Sequence, residues 1–289
     1  MGSIWEIDFY SRPVLDENNK KLWEVLVCQS PLAIDTELQS LFKYSQYCSS
    51  SEVNSAWLKA ALESAIEQAG VSPIKFRFFR APMNNMIIKA CQELGIPAQP
   101  SRRTLTLNQW LQQRNKEVYP QEPGYQAATN PSVQIPKNSD PQRLPDALIG
   151  QKWVVASLTG SDLAQMPEWE IDFGEAFPLS LAQITPDTIV PGIIIYSPRA
   201  IPLAGWMSGL EIAALKVDTR ATPTKLILET GASDSWLLAN ITNPQTLQMA
   251  QDFEGAKQKA NQVHFLAVQS SPESEVFAGF WLLQEINLP

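Results

Sequence analysis

The pentapeptide WEIDF occurs twice in this chain, at Trp5–Phe9 and again at Trp169–Phe173. Each copy alternates large apolar side chains with carboxylates. In an extended strand successive side chains point to opposite faces, so Trp5, Ile7 and Phe9 share one face while Glu6 and Asp8 share the other. A helix would mix the two sets. The chain is therefore bound to contain at least two strands with one apolar and one acidic face, and sheets become the frame that every other element must fit. On sequence alone, the carboxylates of both copies are expected to face solvent and keep an amphipathic strand soluble.

The segments around these strands predict an ordered series of elements. IWEIDFYSRPVL and LWEVLVC form a hairpin across the turn residues DENNKK. SEVNSAWLKAALESAIEQAG is an amphipathic helix stopped by Gly70, with Pro73 beyond. IKFRFFRA alternates again, with Phe76 and Phe78 expected in the core. Pro82 opens a second helix that Gly95 closes, and RRTLTLNQWLQQR reads as a short strand or loop leading into a helical turn. Between 119 and 150 a proline recurs every few residues without periodicity, as in a linker or extended connection.

The second half restarts with KWVVASLTG, the second WEIDF and the buried strand PGIIIYS. PLAGWMSGLEIAAL reads as a helix and TKLILETGASDSWLLANI as a hairpin. Asn243-Pro244 caps a further helix, and VHFLAVQ and FAGFWLL close the chain as strands. Both halves thus run hairpin, helix, strand. The expected class is α/β with two domains, each a mixed β-sheet flanked by helices: 1–118, the proline-rich connection 119–150, and 151–289. The WEIDF copies do not occupy equivalent places in that scheme, so the repeat is one local solution used twice and not a mark of duplication.

Several chemistries are excluded by what is missing. A hydrophobic fraction of 44% and nine tryptophans belong to a chain that buries real cores. No apolar run reaches the roughly 18–20 residues of a helical membrane span. The segment MGSIWEIDFYSR has neither the basic nor the apolar region of a secretory signal, so a cytoplasmic location is expected. Cys28, Cys48 and Cys91 form no CxxC pair and are expected to be reduced and buried. The single histidine, His264, leaves no Cys/His zinc module or HExxH site, and without a GxSxG elbow it reads as structural. No catalytic residue, metal or cofactor is assigned, and the chain is read as a non-enzyme. A metal-dependent nuclease would need Asp8 and Glu24, or Asp172 and Glu229, to converge in a cleft. The lysine that strand-borne nuclease acids carry two positions later is missing from both.

Charge is distributed unevenly. Residues 1–120 hold 13 Lys/Arg against 12 Asp/Glu, whereas 121–289 hold 9 against 18. The window 75–116 has eight basic side chains and one acid, Glu93. A local basic patch attracts phosphates even on an acidic protein, because screening confines its field to about a Debye length. Single-stranded RNA is held by aromatic planes for its bases and Lys/Arg for its phosphates. Arg77, Arg102, Arg103 and Arg114 are accordingly the candidate phosphate contacts, and Tyr119 or Tyr125 the candidate stacking residue.

Longer blocks carry a more specific signal. WEIDFYSRPVLDENNKKLWEVLVC, RFFRAPMNNMIIKAC, PSRRTLTLNQWLQQR with VYPQEPGY, WEIDFGEAFPL, LILETGASDSWLLA and HFLAVQSSPESEVFAGFWLLQE together resemble one family. It is the cyanobacterial and chloroplast RNA-binding family that activates translation of the photosystem I reaction-centre B-subunit mRNA. The resemblance is collinear over nearly the whole chain, through Trp281-Leu282-Leu283, and the lack of a transit peptide suits a cyanobacterial member. It implies binding of single-stranded RNA, the 5′ untranslated region of a photosystem mRNA, and promotion of translation and photosystem biogenesis. No residue-level pattern comes with it. The acidic second half is expected to contact protein partners. The alternative is a protein-binding assembly factor without RNA contact, which expects the 75–116 charges to be scattered or internally paired, or an apolar patch exposed around Trp281.

Overall fold

The computed structural model describes residues 2–127, 140–145 and 152–286. They form two units, one from residues 2–30 and 39–127, the other from 31–38, 140–145 and 152–286.

In the first unit, WEIDF lies within β1 (Ile4–Leu15), which pairs antiparallel with β2 (Lys21–Gln29) across the expected turn. Then follow β3 (Lys43–Cys48), α1 (Ser55–Ala69), β4 (Lys75–Phe78), α2 (Asn84–Glu93), β5 (Ala98–Pro100) and α3 (Leu105–Gln113). The sheet order is β3-β2-β1-β4-β5, with β4 parallel to β1. β1 is thus the central strand. Its apolar face, Trp5, Ile7 and Phe9, joins Val25, Val27, Phe76 and Phe78 under α1 and α2, which bring Leu58, Leu62, Ile87 and Cys91. Asn54 caps α1 by accepting the Trp57 N–H, and Gly70 ends it at φ 66°, a conformation that favours glycine.

Two elements of this unit, β3 and β5, were not read from the sequence, and α3 was read only in part, as a helical turn. KYSQYC is the edge strand β3, whose polar alternation gives no apolar stripe. The segment LTLNQWLQQ is a complete helix, α3, packed across β1 and β2 on the face opposite α1 and α2. The proline-rich stretch also begins attached to the sheet. Tyr119–Gln121 is a 3-10 turn, and Val14 and Tyr125 form a β-bridge. There the Leu15 N–H donates to the Gly124 carbonyl and the Gln126 N–H to that of Pro13. Residues 128–139 and 146–150 of the expected connection lie outside the described residues.

The second unit has two sheets around one core. Its elements are β6 (Gln142–Arg143), β7 (Lys152–Thr159), α4 (Gly160–Ala164), β8 (Ile171–Glu175), β9 (Ile189–Tyr196), α5 (Ala200–Ser208), β10 (Ile212–Asp218), β11 (Thr224–Thr230), β12 (Asp234–Ile241), α6 (Pro244–Lys259), β13 (Val263–Gln269) and β14 (Phe277–Gln284). The sheets run β7-β9-β13-β14-β8 and β10-β11-β12-β6. Leu203 and Met207 of α5 and Phe253 of α6 pack with Leu215, Leu228, Leu266 and Leu283 from both sheets. The mixed α/β class expected from the sequence holds. The helix expected over PLAGWMSGLEIAAL stops at Ser208, with Gly209 as its cap, and IAAL opens β10. A continuous apolar run fits a buried strand as well as a helix, so periodicity could not separate them.

The order hairpin, helix, strand does recur, but its topology does not. After α1 the chain returns to the hairpin's own sheet, as β4 beside β1. After α6 it enters the other sheet, as β13 beside β9. No helix among the described residues is long and apolar enough to cross a membrane.

His264 is fully buried on β13, and both ring nitrogens are used. Nε2 accepts the Leu215 N–H at 2.9 Å, so Nδ1 donates to the Gln262 carbonyl at 2.9 Å. This is a structural histidine. Replacing it by alanine opens a cavity and strands the Leu215 N–H, at an expected cost of about 2–4 kcal/mol. Urea denaturation measures this, and a loss below about 1 kcal/mol would show that the ring carries no such duty. The three cysteines are free and buried as expected. Burial pushes the Cys91 thiol up to about 12 and, with Glu52, that of Cys48 up to about 11.

Candidate nucleic-acid interface

The second face of the first unit's sheet is polar, and it is closed. Glu6, Asp8 and Arg12 lie at alternate positions of β1, and Glu24 reaches the same layer from β2. Glu6 and Asp8 are 1% exposed, Glu24 is 0% and Arg12 is 3%. The expectation that the first WEIDF points its acids at water is therefore corrected. A central strand covered by α1 and α2 on one side and α3 on the other has no solvent face, and charges survive there only when paired.

Each carboxylate has several donors. Asp8 accepts from Arg12 Nη1 at 2.9 Å and from Arg80 Nε at 2.5 Å and Nη2 at 3.3 Å. Glu24 accepts from Arg12 Nε at 2.9 Å, from Tyr119 Oη at 2.5 Å and from Arg114 Nη2. Arg12 thus bridges the two acids. Glu6 accepts from Ser30 Oγ at 2.8 Å and from the Leu107 N–H at 2.7 Å. That N–H is in the first turn of α3, where Thr104 makes no side-chain cap. Glu6 therefore caps the helix from the adjacent sheet and adds a favourable charge at its N-terminus.

Electrostatics follow the same arrangement. Burial alone would raise the Asp8 carboxyl, but Arg80 and Arg12 outweigh it and hold the group below its ordinary value. Tyr119 is raised, chiefly by burial and further by Glu24, so it remains a neutral phenol that donates. Burial, Glu24 and Glu122 push Tyr47 up to about 12.

The second WEIDF does what the first was expected to do. It leads into β8, an edge strand, and Glu170 and Asp172 are exposed while Ile171 and Phe173 are half-buried. Charges on an edge discourage pairing with a further strand. Identical residues are buried in one place and solvated in the other because the neighbours of the strand decide.

The basic window largely turns inward. Lys89 and Lys116 are exposed, Lys75, Arg102 and Arg114 are half-buried, and Arg77, Arg80 and Arg103 are buried. Among the residues expected to meet RNA, Arg77 sits on β4 and Arg103 just before α3, both inside. Arg102 lies in the same loop and is half-buried, with its Nε and Nη2 enclosed. Arg114 holds Glu24 and donates to Tyr119 Oη at 3.3 Å, and Tyr119 is fully buried. Tyr125, 36% exposed, stands apart at its bridge to Val14. The structure brings Arg114 and Tyr119 together, as parts of the buried network.

One cluster escaped the sequence. Trp110, half-buried on α3, has Lys43 Nζ of β3 at 5.7 Å and the Arg114 guanidinium at 5.7 Å from its ring centroid. The signal available was the four-residue spacing of Trp110 and Arg114, which faces them on one side of a helix. It was obscured because RRTLTLNQWLQQR read as a short strand or loop leading into no more than a helical turn.

A nuclease site is not supported by this geometry. Asp8 and Glu24 do approach each other, but arginines and a phenol occupy their acceptor positions. Asp172 and Glu229 lie on different sheets, the first exposed and the second buried. Among the described residues no cluster of three or more His, Cys, Asp or Glu is placed to hold a metal ion. Trp281, 4% exposed, offers no surface patch.

Comparison with known proteins adds the following. Two family models match in series, one described as "RNA-binding protein Tab2/Atab2 N terminal" over residues 4–114. The other, "RNA-binding protein Tab2/Atab2, C-terminal domain", covers 130–284. The chain is 38% identical over 293 residues to a Zea mays protein named "Protein TAB2 homolog, chloroplastic", across 99% of this chain and 72% of that one. It is also 38% identical over 293 residues to an Arabidopsis thaliana protein of the same name, across 99% and 75%. No solved structure matches the chain.

Proposed function

We propose, from the premise that the chain belongs to the Tab2/Atab2 family of RNA-binding proteins, that it binds single-stranded RNA and promotes translation of a photosystem reaction-centre mRNA. The bound segment in this proposal is the 5′ untranslated region, and the outcome is photosystem I biogenesis in the cytoplasm of a cyanobacterium. The observation that carries it is the collinear match of both family models, with 38% identity over 99% of the chain.

In this reading RNA meets the first unit. Lys43 is exposed on β3 beside Trp110 of α3, half-buried Arg102 precedes that helix, exposed Lys116 follows it, and Tyr125 is 36% exposed. Arg102 is the phosphate contact in this proposal. Arg77 and Arg103 shape the surface from inside, and Arg114 and Tyr119 act through Glu24. The second unit exposes Glu168, Glu170 and Asp172 along the β8 edge, a row that repels phosphate and suits a protein partner. The protein acts by binding and not by catalysis, in keeping with carboxylates already engaged by arginine.

RNA binding across a salt series tests this. Each phosphate contact on a single strand contributes about 0.7 to the log–log slope. Wild type is expected to show a steep slope, and Arg102→Ala weaker binding with a slope shallower by about 0.7. A second reading, a protein-binding assembly factor, is favoured by one observation: Arg80 and Arg114 spend their charge on Asp8 and Glu24. Absence of wild-type binding at low salt would select it.

A further inference from the structure

The groove between α3 and the edge strand β3 has its own chemistry. Lys43, Ser45 and Tyr47 alternate along β3 and pair in register with Cys28, Leu26 and Glu24 of β2, so they point to the side that α3 covers. Trp110 faces them from α3. Lys43 and Ser45 are exposed, and Trp110, Tyr47 and Arg114 are half-buried. Arg114 is fixed by Glu24 beneath it, and Tyr47 Oη donates to Glu122 at 3.1 Å. The result is an aromatic ring with an exposed lysine and a fixed arginine each 5.7 Å from its centroid, and a second aromatic ring further along the strand.

We propose that Trp110 is a nucleobase-stacking platform for single-stranded RNA, with Lys43 and Arg114 as its flanking cations. This rests on the RNA-binding function proposed above and gives it a residue-level site in which Arg114, expected from the sequence, is joined by Trp110 and Lys43, which were not. A tryptophan whose ring already attracts two cations has a strongly polarised face, and every base offers a π-surface to it. Lys43 is long, exposed and free to swing from the ring to a phosphate when a base takes its place. Arg114 cannot swing, because Glu24 and Tyr119 hold it, so it sets the edge of the platform. Stacking of this kind tolerates any base, so the site supplies affinity and register more than sequence choice.

The test uses the full chain and oligouridylates of about twelve nucleotides, within the span of known single-strand sites. Intact oligomers are compared with the same oligomers carrying abasic positions. Trp110→Ala is expected to weaken binding by about 5- to 150-fold, the equivalent of 1–3 kcal/mol for one stacked base, with an unchanged salt slope. Trp110→Phe should recover most of the loss, and abasic positions should matter to wild type but not to Trp110→Ala. Lys43→Ala, at an exposed position that folding does not need, should reduce the slope by about 0.7 while leaving the abasic effect in place. If wild type binds and both Trp110→Ala and Lys43→Ala bind as wild type does, the platform is elsewhere and this proposal is overturned, while RNA binding stands. If wild type itself does not bind, the function proposed above fails first.

Discussion

Asp8→Ala is expected to destabilise the first unit by about 3–5 kcal/mol, whereas Asp172→Ala, the same letter of the second WEIDF, is expected to change stability by less than about 0.5 kcal/mol. The difference lies wholly in surroundings. Removing Asp8 leaves Arg80 without its carboxylate and Arg12 with Glu24 alone, in a layer closed to bulk solvent. Breaking one partner of a buried ion pair costs more than the pair contributed, since the remaining charge stays desolvated. Asp172 has solvent to replace any contact it loses. Urea denaturation of both variants, followed by far-UV circular dichroism and allowing a separate transition for each unit, decides the matter. Similar losses in the two variants would contradict the contrast drawn between a central and an edge strand.

Acid provides a second reading of the same group. The folded-state value of Asp8 lies below its unfolded value, so its stabilisation is complete above the unfolded value, near pH 4, and is lost as pH falls through the folded one. Wild type should therefore lose stability more steeply than Asp8→Ala on the acid limb below about pH 4. Parallel acid limbs would show that the carboxylate is not held by its arginines.

Glu6→Ala is expected to cost about 2–4 kcal/mol, through the lost charge-assisted hydrogen bonds and the Leu107 N–H left without its acceptor. Its effect is directional. α3 is fastened to the sheet at its N-terminal turn by this carboxylate, so the Leu107 amide should exchange with solvent markedly faster, while amides of α1, on the opposite face, keep their protection. Glu170→Ala, the matching position in the second copy, should alter neither stability nor exchange. Unchanged exchange at Leu107 in Glu6→Ala would remove the cap from the account of why α3 sits where it does.

Much of the frame was legible in the sequence. The β1–β2 hairpin, α1 with its Asn54 cap and Gly70 stop, the β11–β12 hairpin, α6 and the strand pair β13–β14 all follow from alternation, helical spacing and turn residues. His264 and the cysteines fall where scarcity and burial statistics put them. What escaped depended on partners far along the chain. Arg80 meets Asp8 across 72 residues and Arg114 meets Glu24 across 90, so counting charges in a window could not show that they were already engaged. α3 takes its cap from a residue 101 positions earlier, which no local pattern announces. The polarity of Glu6 and Asp8 correctly indicated a separate face of β1. Whether that face was wet depended on β3, β4, β5 and α3, elements that gave weaker signals of their own.

The long-range partners of Asp8 and Glu24 also impose a schedule on synthesis. Asp8 and Glu24 leave the ribosome with Arg12 close by, but Arg80 follows Asp8 by 72 residues and Arg114 follows Glu24 by 90. At about 5–20 residues per second, the nascent hairpin waits roughly 4–18 s for the last of these cations. Throughout that interval its acidic side has no lid and its aromatic side no complete core. The most deeply enclosed strand of the finished unit is thus among the first made and the last sealed.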